Sequence, residues 1–270
     1  MNSFKLIVCD MDKTILNEKD EISQKDIEAI EYILNKGIKF VFASGRNITS
    51  MYRHIDTVLK DKKEYAISQN GACVFDLEND KTLFKSTIKK SISMGIVEYG
   101  IKHNLTMELF TPKKVYLYNG DKSQFEDYKR RQIDFEKVEN NEILSLIKED
   151  ICKINYIDNS RELLTLHKDR LQVEYGEKIN FAFSNTRYLD MTCKDVNKAE
   201  GIKVISDILN IRNDEIIAIG DNYNDLEMIN RFYGVCVSNA VLDLKKEAKL
   251  VLNSSYKDSP IVEIVERLSL

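Results

Sequence analysis

The stretch Phe4-Lys5-Leu6-Ile7-Val8-Cys9-Asp10-Met11-Asp12-Lys13-Thr14 carries a largely apolar run onto a pair of acids. A buried parallel strand reads this way when its carboxyl end delivers a polar loop. Ser23-Gln24-Lys25-Asp26 then marks a helix start, and Ile27, Ile30, Ile33 and Leu34 recur at helical spacing until Gly37 stops them. Ile38 to Ala43 reads as the next strand and ends at Ser44-Gly45-Arg46. A helix from Thr49 to Leu59 and a strand from Tyr65 to Ser68, just before Asn70-Gly71, continue the rhythm. Alternating strands and helices, with polar residues at the strand ends, predict a Rossmann-like doubly wound parallel sheet whose site lies along that edge.

The rhythm returns near the carboxyl terminus. Lys198 to Leu209 reads as a helix, Glu215 to Ile219 as a strand, Asp225 to Asn230 as a short helix and Gly234 to Val237 as a strand. A helix from Val241 to Lys249, a strand from Leu250 to Leu252 and a helix from Ile261 to Leu268 follow. Between the two halves the pattern changes. Strands are expected at Val115 to Tyr118 and Lys153 to Ile157, helices at Glu142 to Ile147 and Arg161 to Val173, and a closing hairpin at Phe181 to Ser184 and Tyr188 to Met191. None of these carries an acidic strand-end loop comparable to that at Asp10-Met11-Asp12 or that at Gly220 to Asp225. The expected organisation is an α/β core formed by residues 1–83 and 189–270, with an α+β cap, residues 84–188, inserted at joints near Thr82 to Phe84 and Asn185 to Leu189.

Composition narrows the partners. The 270 residues carry 40 basic and 44 acidic side chains, a net charge of -4, so no basic field recruits nucleic acid or an anionic membrane. Small molecules become the expected partners. At 43% hydrophobic and 31% charged the chain has the balance of a globular protein, and no apolar run reaches membrane-spanning length. The 5 cysteines are scattered without a C-x-x-C pair, which together with the lack of a signal-peptide pattern gives a cytoplasmic expectation.

A second acidic loop, Gly220-Asp221-Asn222-Tyr223-Asn224-Asp225, also follows a β-branched apolar run. Were Asp10, Asp12, Asp221 and Asp225 to face one pocket, each pair of like charges about 4 Å apart would repel by roughly 4 kcal/mol at an effective dielectric near 20. Such a cluster must protonate or bind a cation. Oxygen donors without nearby His or Cys favour a hard ion, Mg²⁺ where positions stay open for water and a phosphate oxygen.

These residues, in this order, resemble the haloacid dehalogenase superfamily, specifically its Cof-type sugar-phosphatase-like branch with a large α/β cap. Asp10-Met11-Asp12-Lys13-Thr14 is similar to the first motif, Ala43-Ser44-Gly45-Arg46 to the second, Lys198 to the lysine of the third and Gly220 to Asp225 to the fourth; Asn70-Gly71-Ala72 matches a further segment of the branch. The resemblance implies a Mg²⁺-dependent phosphatase acting on small phosphorylated metabolites: sugar phosphates first, with pyridoxal phosphate and flavin mononucleotide as further classes. It makes Asp10 the nucleophile that forms an aspartyl-phosphate and Asp12 the acid and base. It makes Lys198 the cation that offsets the clustered charge. Asp10, the Asp12 carbonyl and Asp221 would hold the metal, with Asp225 behind them holding a metal water or orienting Lys198. Ser44, the Gly45 and Met11 amides and the Asn224 side chain would bind the phosphoryl oxygens, and Thr14 would brace the first loop.

Lys13 departs from the branch, where Gly is usual. Arg46 has three readings: a contact to the distal part of the substrate, a partner for a cap carboxylate, or an anchor for its own helix. His54, His103 and His167 show no metal-ligand spacing and receive no role. Two other functions stay open, a phosphomutase using the same chemistry and a non-hydrolytic regulatory protein phosphorylated on Asp10.

Overall fold

In the computed structural model, which describes residues 4–130, 133–146, 148–183 and 186–270, the first apolar run becomes β1 (Leu6–Cys9), buried along its whole length. Ser23 accepts from the Asp26 amide and opens α1 (Gln24–Asn35), which buries Ile30 and Ile33; Gly37, at φ +81°, turns the chain into β2 (Lys39–Ala43). After a short 3₁₀ turn comes α2 (Tyr52–Leu59), then β3 (Tyr65–Ser68). Two strands the sequence pattern did not announce follow, β4 (Cys73–Asp76) and β5 (Lys81–Lys85).

The chain then forms α3 (Lys90–Lys102), β6 (Thr106–Phe110), β7 (Val115–Tyr118), α4 (Lys122–Arg130), β8 (Glu136–Val138) and α5 (Asn140–Leu146). β9 (Lys153–Ile157), α6 (Arg161–Tyr175), β10 (Ile179–Phe183) and β11 (Tyr188–Cys193) complete this part. Beyond it lie α7 (Lys198–Leu209), β12 (Ile216–Gly220), α8 (Leu226–Arg231), β13 (Tyr233–Cys236), α9 (Leu242–Glu247), β14 (Leu250–Val251) and α10 (Pro260–Leu268).

Two compact units result. One takes the chain up to Ser44, Met51–Phe84 and Asn197–Leu270; the other takes Gly45–Ser50 and Lys85–Val196. The first holds an 8-stranded sheet in the order β14-β13-β12-β1-β2-β3-β4-β5. From β14 to β3 the neighbours are parallel, and β4 turns back antiparallel on β3. From β1 the chain winds outward through β2 and β3; from β12 it winds the other way through β13 and β14. The carboxyl ends of β1 and β12 therefore flank the point where winding reverses, where such sheets open a crevice. Asp10 and Asp221 are the next residues after those two strands.

The second unit is built on a 6-stranded sheet, β10-β11-β9-β6-β7-β8. Alternation splits its faces. Met107, Leu109, Tyr116, Tyr118, Ile154, Tyr156, Leu189 and Met191 share one apolar core with Ile96 and Val97 of α3, Ile143 of α5 and Leu164 and Leu171 of α6. Both Tyr116 and Tyr118 thus pack in the core. On the opposite face Leu117 and Ile157 pack against Tyr128 of α4. The in-between positions of β6, β9 and β11 there are buried yet polar: Glu108, Lys153, Asn155, Asp190 and Thr192.

The joint expected near Asn185 to Leu189, and with it the 188/189 boundary, is displaced. β11 pairs antiparallel with β9 as far as Thr192 and with β10 as far as Cys193, so the chain leaves this sheet only afterwards and the second unit extends to Val196. Asp190 and Thr192 interrupt the apolar pattern, which hid the length of the strand. The helix expected from Thr49 begins at Tyr52 after the 3₁₀ turn. Ile147, Ser184 and Asn185, named at the ends of expected elements, lie outside the described residues.

Candidate active site

Parallel pairing continues one residue past β1: the Asp10 amide donates to the Ile219 carbonyl at 2.9 Å, which sets Asp10 beside the end of β12. Around it gather Asp221, Asp225 and Lys198, all buried. One carboxylate oxygen from each of Asp10, Asp221 and Asp225 lies within 4.8 Å of the others. Lys198 Nζ donates to Asp10 Oδ1 and, at 2.6 Å, to Asp225 Oδ1. The second Asp225 oxygen accepts from the amides of Asp221 (2.9 Å) and Asn222 (3.1 Å), so Asp225 spends both oxygens on the protein. Asp221 Oδ1 accepts from Thr14 Oγ1 at 3.1 Å.

Local sequence explains why these groups can meet. Asn197 caps α7 by accepting from the Glu200 amide, which starts the helix one residue before Lys198. A Cβ on Gly71 would stand 2.1 Å from the Asn197 carbonyl oxygen, so only glycine lets the β3–β4 turn close onto that start. Likewise a Cβ on Gly220 would meet the Asp225 side chain at 2.5 Å; its absence lets that carboxylate fold back onto its own loop.

Charge in the site is unbalanced. Burial raises the Asp10 carboxyl from 3.8 to about 7: Lys198 opposes the rise, while Asp225 and Asp12 add to it. Burial again, then the negative charges of Asp10 and Asp225, raise Asp221 from 3.8 to about 8. Burial alone would lower Lys198, but Asp10 and Asp225 outweigh it and hold the ammonium charged. One lysine does not neutralise three carboxylates, so a cation would replace the protons that Asp10 and Asp221 otherwise retain. The donor set fits a hard divalent ion: only oxygens, closely spaced, with one Asp10 oxygen and one Asp221 oxygen not engaged by the bonds just described.

Asp12 is exposed, two residues beyond Asp10, and its carboxylate stands outside the three-acid cluster. Ser44 is buried at the end of β2; its amide donates to the Ile67 carbonyl and its carbonyl accepts from the Asn70 amide, both at 2.9 Å. The Met11 carbonyl accepts from the amides of Ile15 and Leu16 and so closes the loop after Asp10. Lys13 stands at φ +61° with an exposed side chain, and Asn239 Nδ2 donates to its carbonyl at 2.9 Å. A left-handed residue at this point is the physical reason a glycine suits it. Gly45 and Arg46 fall within the second unit, Arg46 buried. Among the histidines, His54 and His167 are buried, and His167 Nδ1 meets the Tyr99 hydroxyl at 2.9 Å.

Asn70 received no role from the sequence. Left-handed at φ +57°, it holds the Ser44 carbonyl with its amide while its Oδ1 accepts from Asn224 Nδ2 at 3.1 Å, linking the loops after β2 and β12. The signal available for it was Asn-Gly, a dipeptide suited to left-handed turns.

A family profile for haloacid dehalogenase-like hydrolases matches residues 7–264. A protein of Buchnera aphidicola from Schizaphis graminum, which carries a phosphatase name, is 30% identical, with 96% of this chain and 94% of that protein covered. A solved haloacid dehalogenase-like hydrolase from Bacteroides thetaiotaomicron superposes with a TM-score of 0.88 at 24% identity, covering 98% of this chain and 99% of that one. The solved structure of a subclass IIB sugar phosphatase does so with a TM-score of 0.86 at 19% identity over 98% and 99%. With a matching profile over nearly its whole length, and the motifs of the family at the reversal point of its sheet, the chain belongs to the haloacid dehalogenase-like hydrolases, in their Cof-type branch.

Proposed function

We propose that the chain is a Mg²⁺-dependent phosphatase that hydrolyses small phosphorylated metabolites, sugar phosphates first among them, through an aspartyl-phosphate on Asp10. The observation that carries this reading is the buried cluster of Asp10, Asp221 and Asp225 around Lys198. The phosphatase name of the Buchnera protein and the sugar phosphatase among the structural neighbours support the substrate class.

Asp10, Asp221 and the carbonyl of Asp12 are the groups that would hold the ion, with Asp225 behind them fixing Lys198 and the loop amides. When bound, Mg²⁺ supplies positive charge that lets an anionic nucleophile approach a phosphate dianion. The chain's own residues do the rest. Lys198 donates to Asp10 Oδ1, and of the two Asp10 oxygens one attacks phosphorus while the other would hold the ion. As the ester bond breaks, Asp12 gives its proton to the leaving alkoxide; it then takes one from the water that attacks the aspartyl-phosphate, so that Asp10 is regenerated and inorganic phosphate is released. Ser44, the Gly45 and Met11 amides and Asn224 bind the phosphoryl oxygens, and the inserted unit selects the leaving group.

Hydrolysis across a panel of phosphorylated metabolites in millimolar Mg²⁺, with Asp10→Asn as control, tests the reading. Phosphate release by the wild type and its loss in Asp10→Asn are expected. Full residual activity in Asp10→Asn would remove the covalent role, and isomerised substrate without free phosphate would replace the phosphatase by a mutase.

A further inference from the structure

The second unit contains a buried lysine that the chemistry above does not use. Lys153 opens β9 on the sheet face opposite α3, α5 and α6, with its side chain 4% exposed. Its Nζ donates to the backbone carbonyl of Gly45 at 2.8 Å, lies 3.7 Å from Asp190 Oδ2 and stands 4.2 Å from the centre of the Phe110 ring. The neighbouring loop residue is tied down as well. Asn47 Nδ2 donates to the Thr111 carbonyl at 3.2 Å while its Oδ1 accepts from the amide and hydroxyl of Thr49. Residues Gly45–Ser50 accordingly group with the second unit, although Ser44, the residue before them, directly follows β2 and belongs to the first.

A lysine that served only to neutralise Asp190 would be expected to sit closer to it than 3.7 Å; the shorter, direct bond goes to an uncharged carbonyl. Burying an ammonium costs several kcal/mol unless its donors are used, so this bond is held firmly. We propose that Lys153 is a positioning residue for phosphoryl binding: by fixing the Gly45 carbonyl it fixes the backbone that follows Ser44 and aims the Gly45 amide. This rests on the phosphatase reading, since it assigns a task to a loop taken to bind phosphate.

The test uses the full chain in Mg²⁺, with p-nitrophenyl phosphate as substrate and inorganic phosphate as competitive inhibitor. Lys153→Met is expected to raise both KM and the phosphate inhibition constant about tenfold, the effect of losing one bond to a charged group, with a smaller change in kcat and unchanged Mg²⁺ half-saturation. The double variant Lys153→Met with Asp190→Asn removes the charge imbalance and leaves the Gly45 carbonyl without its ammonium. It is expected to fold even where the single variant does not, because a buried pair removed together costs little. Its inhibition constant should stay about tenfold high. An unchanged constant in Lys153→Met, or one restored to the wild-type value in the double variant, would overturn the proposal, the latter by showing that Lys153 only balances Asp190. A wild type that hydrolyses no phosphate ester would instead end the phosphatase reading, and this inference with it.

Discussion

Asp225 binds Lys198 Nζ at 2.6 Å through one carboxylate oxygen and the two amides of its own loop through the other, with no part of either side chain reaching solvent. The pair joins the start of α7 to the loop after β12 and points the ammonium at Asp10. Breaking one member of a buried pair leaves an uncompensated charge and costs about 3–5 kcal/mol. Asp225→Asn should therefore lower unfolding free energy by an amount of that order and also lower kcat, because Lys198 loses its orientation. Chemical denaturation followed in parallel with turnover checks both, and a variant of wild-type stability would contradict the structural role.

The proposed cation site has a signature in stability. Burial together with the neighbouring acids raises Asp221 to about 8, and burial raises Asp10 to about 7, both from 3.8. Because the folded values lie above the unfolded ones, the contribution of these groups to stability is complete below about pH 4 and is lost as pH rises through 7 and 8. Without divalent ions, Tm should fall between about pH 4 and pH 8; saturating Mg²⁺ should flatten that fall, and adding it near neutrality should release protons. Calorimetric scans with and without chelator measure this. A cation-free Tm that climbs over the same interval would exclude the charge imbalance.

The reversal point and its acids were legible because β1 and β12 are buried parallel runs that each end abruptly at an acid, at Cys9-Asp10 and Gly220-Asp221. Helix α3 was not, since Gly95 and Gly100 interrupt it and lower its helical propensity. Both are there for packing: a Cβ on Gly100 would stand 2.2 Å from Met107 Sδ, and one on Gly95 would stand 2.1 Å from the Tyr175 hydroxyl. β6 carries Glu108 at its centre and β5 is a half-exposed edge, so neither shows an apolar run. Links made only by folding, such as Asn70 to Asn224 or Lys153 to Gly45, leave no spacing in the sequence to read.

Lys13 tests the departure from the family pattern. A left-handed backbone costs a side-chain-bearing residue about 1–2 kcal/mol, and glycine loses part of that advantage through greater freedom when unfolded. With φ at +61° and its side chain exposed, Lys13→Gly should raise stability by up to about 1 kcal/mol. Equilibrium unfolding in urea reads the difference; a less stable variant would mean that the lysine side chain makes contacts worth more than the strain.

Gly71 gives the opposite expectation, and it couples the backbone of one loop to the chemistry of another element. Its φ of +96° is strained for any side chain, and the Cβ of alanine would lie 2.1 Å from the Asn197 carbonyl oxygen and 3.2 Å from the Lys198 amide. Those are backbone atoms of the α7 start and cannot rotate away, so Gly71→Ala must move either the turn or the helix. The cost should exceed about 2 kcal/mol, since overpacking and strain at a special φ add. A displaced α7 also displaces Lys198, and a shift near 1 Å at a catalytic group can cost about 10²-fold in rate. Gly71→Ala should therefore lose turnover well beyond what its unfolded fraction explains, measured at a temperature where the variant remains folded by circular dichroism. Turnover falling only in proportion to the folded population would detach Gly71 from the placement of Lys198.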